Sequence, residues 1–467
     1  MAQLFIMLDK GVGVGKIADF PTTLSPLSFI QERYALLNLS GEIRIVDRLQ
    51  IAEVMAGKQS EISFYKRPEG QLLIYRELEN LPISSKPKDV FNDFLVNPNT
   101  HVYNAIAFSP LPTPASTLNY WVEPSIKAEE GDWFILQEFL HTVICNNDVA
   151  LFDYVIYYLA HMVQMPEQKP GIMIVLLSGQ GTGKGTLFRL IERLWPRTTL
   201  VVSDIAEVVG QFNASLERNF VVCMDEALFH GDKKSIEKLK SLITEPKCRI
   251  EQKYQPSRTI DSYHRLFASS NHNHFAQVDK DDRRFLFIRV SSVHKQDQIY
   301  FDSVNDALEN DDVIAAMMFD LMNIDLTDFN VRKRTITKEH LSQRLQSLSG
   351  FERFWFEVLQ TGYFKRKSYS GVAWKESTFI STEYLIEAYK EYDRNANKYQ
   401  PIQSQQLAST IKSLCPSAES TRRTNLGSQE RGYQLPNLNT ARSEFEQIFG
   451  PGDIWEELDD ELATAAI

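Results

Sequence analysis

Residues 172–195, which read IMIVLLSGQGTGKGTLFRLIERLW, constrain the fold of this chain more than any other stretch. Six consecutive apolar residues, from Ile172 to Leu177, are typical of a strand that is buried on both faces of a sheet. A glycine-rich turn follows, and the residues after it have the apolar spacing of an amphipathic helix. The stretch therefore predicts a strand, a tight loop and a helix, as found in α/β domains with a parallel sheet.

The predicted loop has the composition of a phosphate-binding P-loop. Its glycines tolerate positive φ, so the backbone can wind around an anion with its N–H groups converging at the start of the helix. Lys184 adds a mobile positive charge beside them. We assign nucleotide binding to the loop and the residues that open the helix, namely Gly179, Gln180, Gly181, Thr182, Gly183, Lys184, Gly185 and Thr186.

Two positions depart from the usual P-loop pattern, G-x-x-x-x-G-K-[ST]. Ser178 stands where the first glycine would be, and Gly185 stands where the magnesium-binding hydroxyl would be. Thr186 carries the nearest hydroxyl, so we predict that it is the magnesium ligand on the loop. The Gly-Lys-Gly-Thr ending also resembles that of nucleotide monophosphate kinases, which leaves a small-molecule kinase as one alternative function.

A second apolar strand, residues 219–224, ends in two carboxylates, Asp225 and Glu226. A P-loop ATPase needs one acid to hold magnesium opposite the loop, and a second acid to accept a proton from the attacking water. We predict that Asp225 binds Mg²⁺ together with Thr186 and that Glu226 is the catalytic base. ATP and Mg²⁺ are the predicted cofactors.

Polar residues also mark two later strands. The predicted strand 266–270 ends at Asn271, whose amide could touch the γ-phosphate and orient the attacking water. Arg283 and Arg284 precede another apolar strand. They could simply pair with the adjacent aspartates, or one of them could reach the γ-phosphate of a neighbouring subunit as an arginine finger, and we favour the finger.

Between these strands, residues 248–254 and 258–269 flank a turn and predict a β-hairpin whose second arm runs into the strand that ends at Asn271. Lys247, Lys253 and Arg258 cluster at or near its tip. Cations on a hairpin are often only a solvated surface, but in a ring-shaped ATPase the same hairpin would point into the pore. We predict that these three residues contact DNA.

Composition limits the remaining functional classes. The 467 residues suffice for about three domains. The net charge of −11 excludes a uniformly basic surface, although a cleft or ring can still gather cations on one face. No apolar run approaches the roughly 20 residues that span a bilayer, and no signal peptide is evident, so we expect no membrane contact. The four cysteines lack metal-binding spacing, so we predict reduced thiols and a cytoplasmic location. They are Cys145, Cys223, Cys248 and Cys415.

These motifs, in this order, resemble those of the superfamily 3 helicases of viruses, phages and mobile elements, a branch of the AAA+ ATPases. The likeness is strongest to the helicase half of phage and plasmid primase-helicases. It rests on SGQGTGKGTL, MDEA, LKSLITEP, SSN and DDRRF, all between residues 178 and 285. It covers roughly residues 132–290 well and the flanks loosely.

The resemblance implies a hexameric ring that uses ATP to translocate 3′ to 5′ on single-stranded DNA. By position, it implies that Lys184 binds phosphate, that Asn271 is the sensor, and that Arg284, or Arg283 in its place, is the finger. Proteins of this type usually carry a primase upstream, but no Asp-x-Asp strand followed by Ser-x-His occurs in that order here. We therefore expect a stand-alone helicase, or one whose primase or polymerase is a separate chain.

The flanks of the ATPase are predicted to form separate modules. Near the start, residues 34–39, 42–46, 72–75 and 102–108 are predicted strands. Helices over 380–393 and 403–414, followed by two short strands, favour a winged helix in which Arg422 and Arg423 contact DNA phosphates, with an ordinary interaction domain as the alternative. The predicted division is an α+β N-terminal module (1–125), a helical collar (126–170), an α/β AAA+-like ATPase core (171–295), a helical segment and linker (296–345), a winged-helix-like domain (346–445) and an acidic tail (446–467).

These features predict an ATP-driven, ring-forming DNA helicase that acts in the replication of a phage or mobile element in a bacterial host. The alternative from another class is a replication initiator. In that case ATP would only set the assembly state, and the C-terminal domain would bind duplex DNA without unwinding it.

Overall fold

The structure is a computed structural model that describes residues 25–39, 41–56, 62–81, 85–226, 233–253, 257–271, 275, 282–335, 337–348, 350–365, 371–395, 402, 404–425, 428–450 and 455. Apart from Trp455, the predicted acidic tail beyond Gly450 lies outside these ranges.

The N-terminal module is a small α+β unit in which β1 pairs antiparallel with β2 and parallel with β3. Its elements are α1 (Pro26–Arg33), β1 (Tyr34–Leu39), β2 (Glu42–Asp47), α2 (Arg48–Met55), α3 (Arg67–Glu79), α4 (Pro87–Val96), β3 (Val102–Tyr103), β4 (Ala105–Ala107) and β5 (Thr117–Asn119). The strands predicted at 34–39 and 42–46 are confirmed.

The strand predicted at residues 72–75 is wrong, because this run lies inside α3. The Glu69 carboxylate accepts a hydrogen bond from the N–H of Lys66 at 2.9 Å at the start of the helix, and Pro68 occupies its first turn. The buried residues Gly70, Ile74 and Leu78 recur every fourth position, as on one face of a helix. A short apolar run reads equally well as strand or helix, so the capping residues decide this case.

The helices of the segment predicted as a collar are α5 (Phe134–Glu138) and α6 (Val149–Gln164), joined by a π-helical turn at Phe139–Ile144. The predicted break between the helices is confirmed, since Asn146 and Asn147 have φ of 51° and 61°. The Asp148 carboxylate then caps α6 by accepting a hydrogen bond from the N–H of Leu151 at 3.0 Å.

A parallel sheet follows the collar. The elements from here to its last strand are β6 (Met173–Leu177), α7 (Lys184–Leu194), β7 (Thr199–Val202), α8 (Ala206–Val209), a 3₁₀ turn (Ala214–Arg218), β8 (Val221–Met224), α9 (Lys233–Thr244), β9 (Lys247–Ile250), β10 (Arg258–Asp261), β11 (Arg265–Ser270) and β12 (Phe285–Arg289).

Five of these strands form one sheet in the order β12-β6-β11-β8-β7, and every neighbouring pair is parallel. The α/β architecture with a parallel sheet is therefore confirmed. The carboxyl ends of parallel strands meet at one edge, where open α/β sheets bind ligands. Because β11 lies between β6 and β8, the residue after β11 lies between the loop after β6 and the acids after β8.

Apolar residues cover both faces of the sheet, which is why β6 is buried along its whole length. On one face Ile174 and Leu176 join a core that includes the collar and α7. On the other face Met173, Val175 and Leu177 join a core that includes α9 and the β9–β10 hairpin. The sheet is thus held rigidly between two layers.

The rest of the chain forms two helices beside the sheet and a separate C-terminal domain. The elements are α10 (Gln298–Glu309), α11 (Asp311–Asn323), α12 (Lys338–Ser347), α13 (Gly350–Thr361), β13 (Tyr363–Phe364), β14 (Val372–Ala373), β15 (Thr378–Ser381), α14 (Thr382–Asn395), α15 (Ser404–Leu414), β16 (Glu419–Asn425), β17 (Ser428–Leu435) and α16 (Leu438–Phe449).

The C-terminal domain has its own hydrophobic core, in which Trp355 and Trp374 are fully buried. Its antiparallel sheet has the order β15-β17-β16, so the two predicted strands are present and a third was missed. Residue Ile380 was assigned to a helix but lies in β15. The helix starts after Ser381, whose hydroxyl accepts a hydrogen bond from the N–H of Tyr384 at 3.2 Å.

All four cysteines are free thiols, and only Cys248 is not fully buried. Among the described helices, none combines the length and the apolar character needed to cross a membrane.

Candidate functional site

The loop between β6 and α7 winds tightly over the start of α7. Gly181 and Gly183 have φ of 73° and 97°, in the region that favours glycine. Gly183 is the N-cap of α7, and a Cβ atom there would lie 3.0 Å from Phe301 and 3.1 Å from Phe139. The first N–H groups of a helix have no partner within it, so this turn offers donors to an anion.

Lys184 is the first residue of α7 and is only 7% exposed. Its ammonium group donates to the carbonyl oxygens of Ser178 at 2.8 Å and Gly179 at 3.1 Å. It also donates to the side-chain oxygen of Asn271. The loop and the end of β11 therefore hold the ammonium group over the loop with carbonyl and amide acceptors, and no carboxylate of a described residue is directly bonded to it.

Asp225 and Glu226 directly follow β8, as predicted. The Ser269 hydroxyl on β11 donates to the Asp225 carboxylate and accepts from the Glu226 N–H at 3.2 Å. These contacts fix the turn that carries both acids. Burial lowers the pKa of Lys184, and the negative charges of Asp225 and Glu226 oppose that shift.

Asn271 links the two halves of the site. Its side-chain oxygen accepts from Lys184, and its NH₂ group donates to Glu226 at 2.9 Å. Lys184 and Asn271 are 87 residues apart in the chain, and the strand order alone brings them together. Lys184, Asn271 and Glu226 are thus connected by hydrogen bonds at the carboxyl edge of the sheet.

The second wall of the cleft was not predicted from the sequence. The cleft is open, has a volume of about 560 Å³, and is lined on another side by residues on and before α10. They are Gln296, Asp297, Gln298, Phe301 and Asn305. In addition, the Lys295 ammonium lies 3.9 Å from where a Cβ on Gly179 would be, so a second cation approaches the loop. No motif in the sequence signals this wall.

The residues predicted to bind magnesium, Thr186 and Asp225, line the same cleft. Hydroxyl and carboxylate oxygens are suitable ligands for Mg²⁺. This ion usually has few protein ligands, and phosphate oxygens and water complete its coordination shell. Gly185 is exposed and offers no donor, and nothing lies within 4 Å of the position of its missing Cβ. The donor set fits an ion held jointly with a nucleotide.

Backbone strain is concentrated in this cleft. Of the four described non-glycine residues with positive φ, two line it, Glu226 at 53° and Gln296 at 66°. Such conformations cost roughly 1–3 kcal/mol each and cluster at functional sites.

Two glycines of the loop provide a matched pair of substitutions. Gly183→Ala is expected to destabilise the nucleotide-free protein by about 1–3 kcal/mol, because of its positive φ and the crowding by Phe301 and Phe139. Gly185→Ala is expected to stabilise it by about 0.5–1 kcal/mol, because the position is helical and open. Denaturant unfolding of both variants checks the prediction, and equal effects would contradict the described loop.

Arg283 and Arg284 lie at the opposite edge of the sheet. They precede β12, which runs parallel to β6, so a whole strand of roughly 15 Å separates them from the loop. Arg283 is exposed, whereas the Arg284 guanidinium is partly buried, 3.5 Å from Asp282. Neither side chain is positioned to touch a phosphate bound in the cleft of its own chain.

The hairpin is present, and of the three predicted cations Lys253 and Arg258 lie at the end nearer residues 254–256, whereas Lys247 lies at the other end. Lys247 is at its base, paired with Asp261 at 3.7 Å. Arg258 shares the inward face with the buried Ile260 and forms an ion pair with the buried Glu217. The ion pair therefore makes Arg258 an internal residue, although it lies near residues 254–256, which are outside the described part.

A basic groove lies beside the hairpin, and its aromatic neighbour was also missed. We define the basic groove as the concave surface of about 470 Å³ whose cations are Lys234, Lys238, Lys247 and Arg249. Asn213 ties the adjacent loop to the hairpin by accepting from the Glu251 N–H at 2.9 Å and donating to the Arg249 carbonyl at 3.0 Å. Phe212 in that loop is 52% exposed.

Arg422 and Arg423 lie on the hairpin of β16 and β17 in the C-terminal domain. Arg422 is directly opposite Arg431, and Arg423 is opposite Glu430, with its guanidinium 5.2 Å from the Phe379 ring centroid. Like charges directly opposite on a sheet are destabilising. The exposed Arg422–Arg431 pair would be relieved by a bound anion.

Comparisons with known proteins agree on part of this description. Residues 176–284 match the model of a family of unknown function, DUF5906. The match starts within β6 and ends at Arg284, so it includes Lys184, Asp225, Glu226 and Asn271.

The chain is homologous to the DNA primase-polymerase of Nitratiruptor phage NrS-1, with 24% identity over 232 residues, 46% of this chain and 32% of that protein. It thus spans about a third of that relative's length. Two apo structures of the C-terminal region of the NrS-1 protein have a fold similar to that of this chain. The A form has a TM-score of 0.59 at 16% identity and covers 87% of this chain and 98% of that one. The other has a TM-score of 0.60 at 15% identity and covers 88% and 99%.

Proposed function

We propose that this chain is an ATP-driven, ring-forming DNA helicase that acts in the replication of a phage or mobile element. The observation that carries the proposal is the convergence of Lys184, Asn271 and Glu226 beside a glycine-rich helix N-terminus, at the carboxyl edge of a parallel sheet. A cation on an anion-binding loop, an amide and a carboxylate are the groups that phosphoryl transfer to water requires.

In this proposal each group has one task. The loop N–H groups and Lys184 bind the phosphates, whose oxygens would replace the carbonyl acceptors that the ammonium now contacts. Glu226 accepts a proton from the attacking water, and Asn271, already bonded to both Lys184 and Glu226, orients that water against the γ-phosphate. Mg²⁺, held by Asp225 and Thr186, would neutralise charge on the phosphates.

The position of the two arginines supports assembly into a ring. Because Arg283 and Arg284 lie at the edge of the sheet away from their own cleft, a finger role requires a second copy of the chain. Head-to-tail contacts of this kind close into a ring when the rotation between subunits permits it. A hexamer is the expected assembly.

We propose that DNA binds in the basic groove, with Phe212 and Lys253 beside it. This replaces the predicted contact through Lys247, Lys253 and Arg258 together. Cations that follow a phosphate backbone and an exposed aromatic ring for base stacking are the parts that single-strand binding uses. Arg422 and Arg423 would add phosphate contacts from the C-terminal domain, for which we propose a winged-helix role.

The homology to a phage primase-polymerase supports a role in phage replication. We propose that a primase or polymerase, on a separate chain, cooperates with this one at the fork. Of the domain division from the sequence, we propose to retain the ATPase core at residues 171–295, whereas the boundaries at 345 and 445 fall inside α12 and α16.

Strand displacement tests the function. We expect displacement from a duplex with a 3′ single-stranded tail in the presence of ATP and Mg²⁺, and none from a blunt duplex. ATP-dependent binding of duplex DNA without displacement would favour the initiator instead.

Phe212→Ala is expected to weaken binding of single-stranded DNA roughly fivefold to 100-fold, because one base loses its stacking surface. Fluorescence anisotropy with labelled oligothymidylate measures the affinity. Leu72→Ala is the control, since Leu72 is 62% exposed on the N-terminal module. Equal affinities for the two variants would remove Phe212 from the DNA interface.

A further inference from the structure

A second concave site lies between the N-terminal module and the parallel-sheet domain, away from the nucleotide cleft. Its volume is about 650 Å³. It is lined by the end of α2, the segment after β5, the residues between α7 and β7, and the turn before β8, including Met55, Tyr120, Ser125, Arg197, Arg218 and Asn219. It shares no residue with the cleft that contains Lys184.

Arg197 joins the two domains at this site. Its guanidinium donates to the carbonyl oxygen of Met55 at 3.0 Å and to that of Glu123 at 3.2 Å. The first bond caps the end of α2. Both acceptors are neutral carbonyls, so the positive charge of Arg197 remains uncompensated by any carboxylate in the described ranges.

Arg218 is the second cation of the site. Its guanidinium lies 6.0 Å from the centroid of the Tyr120 ring. Within the described part of the chain it forms no ion pair and no hydrogen bond. The protein has 61 acidic residues and 50 basic ones. The residues that line this hollow nevertheless include two arginines and no carboxylate.

Tyr120 provides an independent observation. The residue is only 3% exposed, yet its hydroxyl makes no hydrogen bond to any described residue. Burial raises the pKa of this hydroxyl, and the nearby Glu217 carboxylate adds to the shift, so the group remains a donor. The side chain lines the hollow, so an oxygen atom of a ligand there could accept a hydrogen bond from this hydroxyl.

We propose that this hollow binds a phosphate group, with Arg218 and Tyr120 as its main contacts and Arg197 contributing charge. A guanidinium matches the oxygens of a phosphate in shape and charge, and a neutral phenol adds one further donor. The hollow has room for more than an inorganic ion, so we assign the phosphate to a free nucleotide or to a nucleic-acid strand. The ligand would contact both domains that Arg197 joins.

Protection of Arg218 from chemical modification tests this on the wild-type chain. Phenylglyoxal modifies accessible guanidinium groups, and peptide mass spectrometry gives the rate at each arginine. The probes are pyrophosphate, ATP without magnesium, and a short oligothymidylate. We expect modification of Arg218 to slow about tenfold at a probe concentration of roughly ten times its Kd. Arg76, an exposed arginine on α3, serves as the unprotected control.

The pattern of protection identifies the source of the phosphate. Protection by pyrophosphate and ATP supports a free nucleotide, and protection by the oligonucleotide alone supports a strand. Tyr120→Phe should raise the probe concentration needed for protection roughly tenfold, since one hydrogen bond to a charged group is lost. Unchanged modification of Arg218 with all three probes, or protection that Tyr120→Phe leaves unaltered, would overturn the proposal. Neither result bears on ATP hydrolysis, since the two sites share no residue.

Discussion

Replacing Glu226 by glutamine is expected to leave ATP binding intact and to reduce ATP turnover by roughly 10²- to 10⁴-fold, because the site loses its general base. The substitution keeps the side-chain oxygen that accepts from Asn271, so the geometry of the cleft is preserved. Binding of a fluorescent ATP analogue and steady-state phosphate release give the two measurements.

Glu192→Gln is the matched control for this variant. Glu192 is an exposed carboxylate on α7, outside the cleft, and its substitution should change neither quantity. Normal turnover in the Glu226→Gln protein would end its assignment as the base. Loss of nucleotide binding would instead indicate that this carboxylate mainly supports the loop through Asn271.

The second large effect concerns the arginines before β12. Alanine at the finger position is expected to abolish turnover, since such a residue contributes roughly 10³- to 10⁵-fold to the rate. We expect this loss of turnover for Arg284→Ala. Arg283→Ala is the alternative, because the Arg283 side chain is the exposed one of the two. Co-assembly with Lys184→Ala subunits should restore roughly a quarter of wild-type turnover, because about one interface in four then combines an intact loop with an intact finger.

Co-assembly of Lys184→Ala with Glu226→Gln subunits is the control for this complementation. Both substitutions damage the same half of the site, so every interface stays defective and mixing restores nothing. If the arginine variants likewise regain no turnover, or if each is fully active alone, a finger acting between subunits is excluded.

The sequence predicts the central strand, the loop and the acidic strand end because each depends on neighbouring residues. Apolar runs, glycine spacing and terminal carboxylates are local signals, and the strands after 172 and 219 form as expected. The contact between Lys184 and Asn271 is different. It depends on β11 inserting between β6 and β8, an order that only long-range pairing decides.

The hairpin shows where local reasoning fails. Its two strands are recognisable, but the direction of each side chain depends on register, and a shift of one residue would reverse it. Arg258 faces inward because its partner Glu217, 41 residues earlier, lies in the 3₁₀ turn beneath the hairpin. The exposure of Phe212 and the wall that contains Phe301 depend on tertiary packing in the same way.

Steady-state ATP hydrolysis, with and without single-stranded DNA, for the wild type and for Lys184→Ala, tests the central claim most directly. We expect hydrolysis that single-stranded DNA strongly stimulates and that the substitution abolishes. Hydrolysis that is indifferent to DNA, or that survives the loss of Lys184, would contradict an ATP-driven motor built on this cleft.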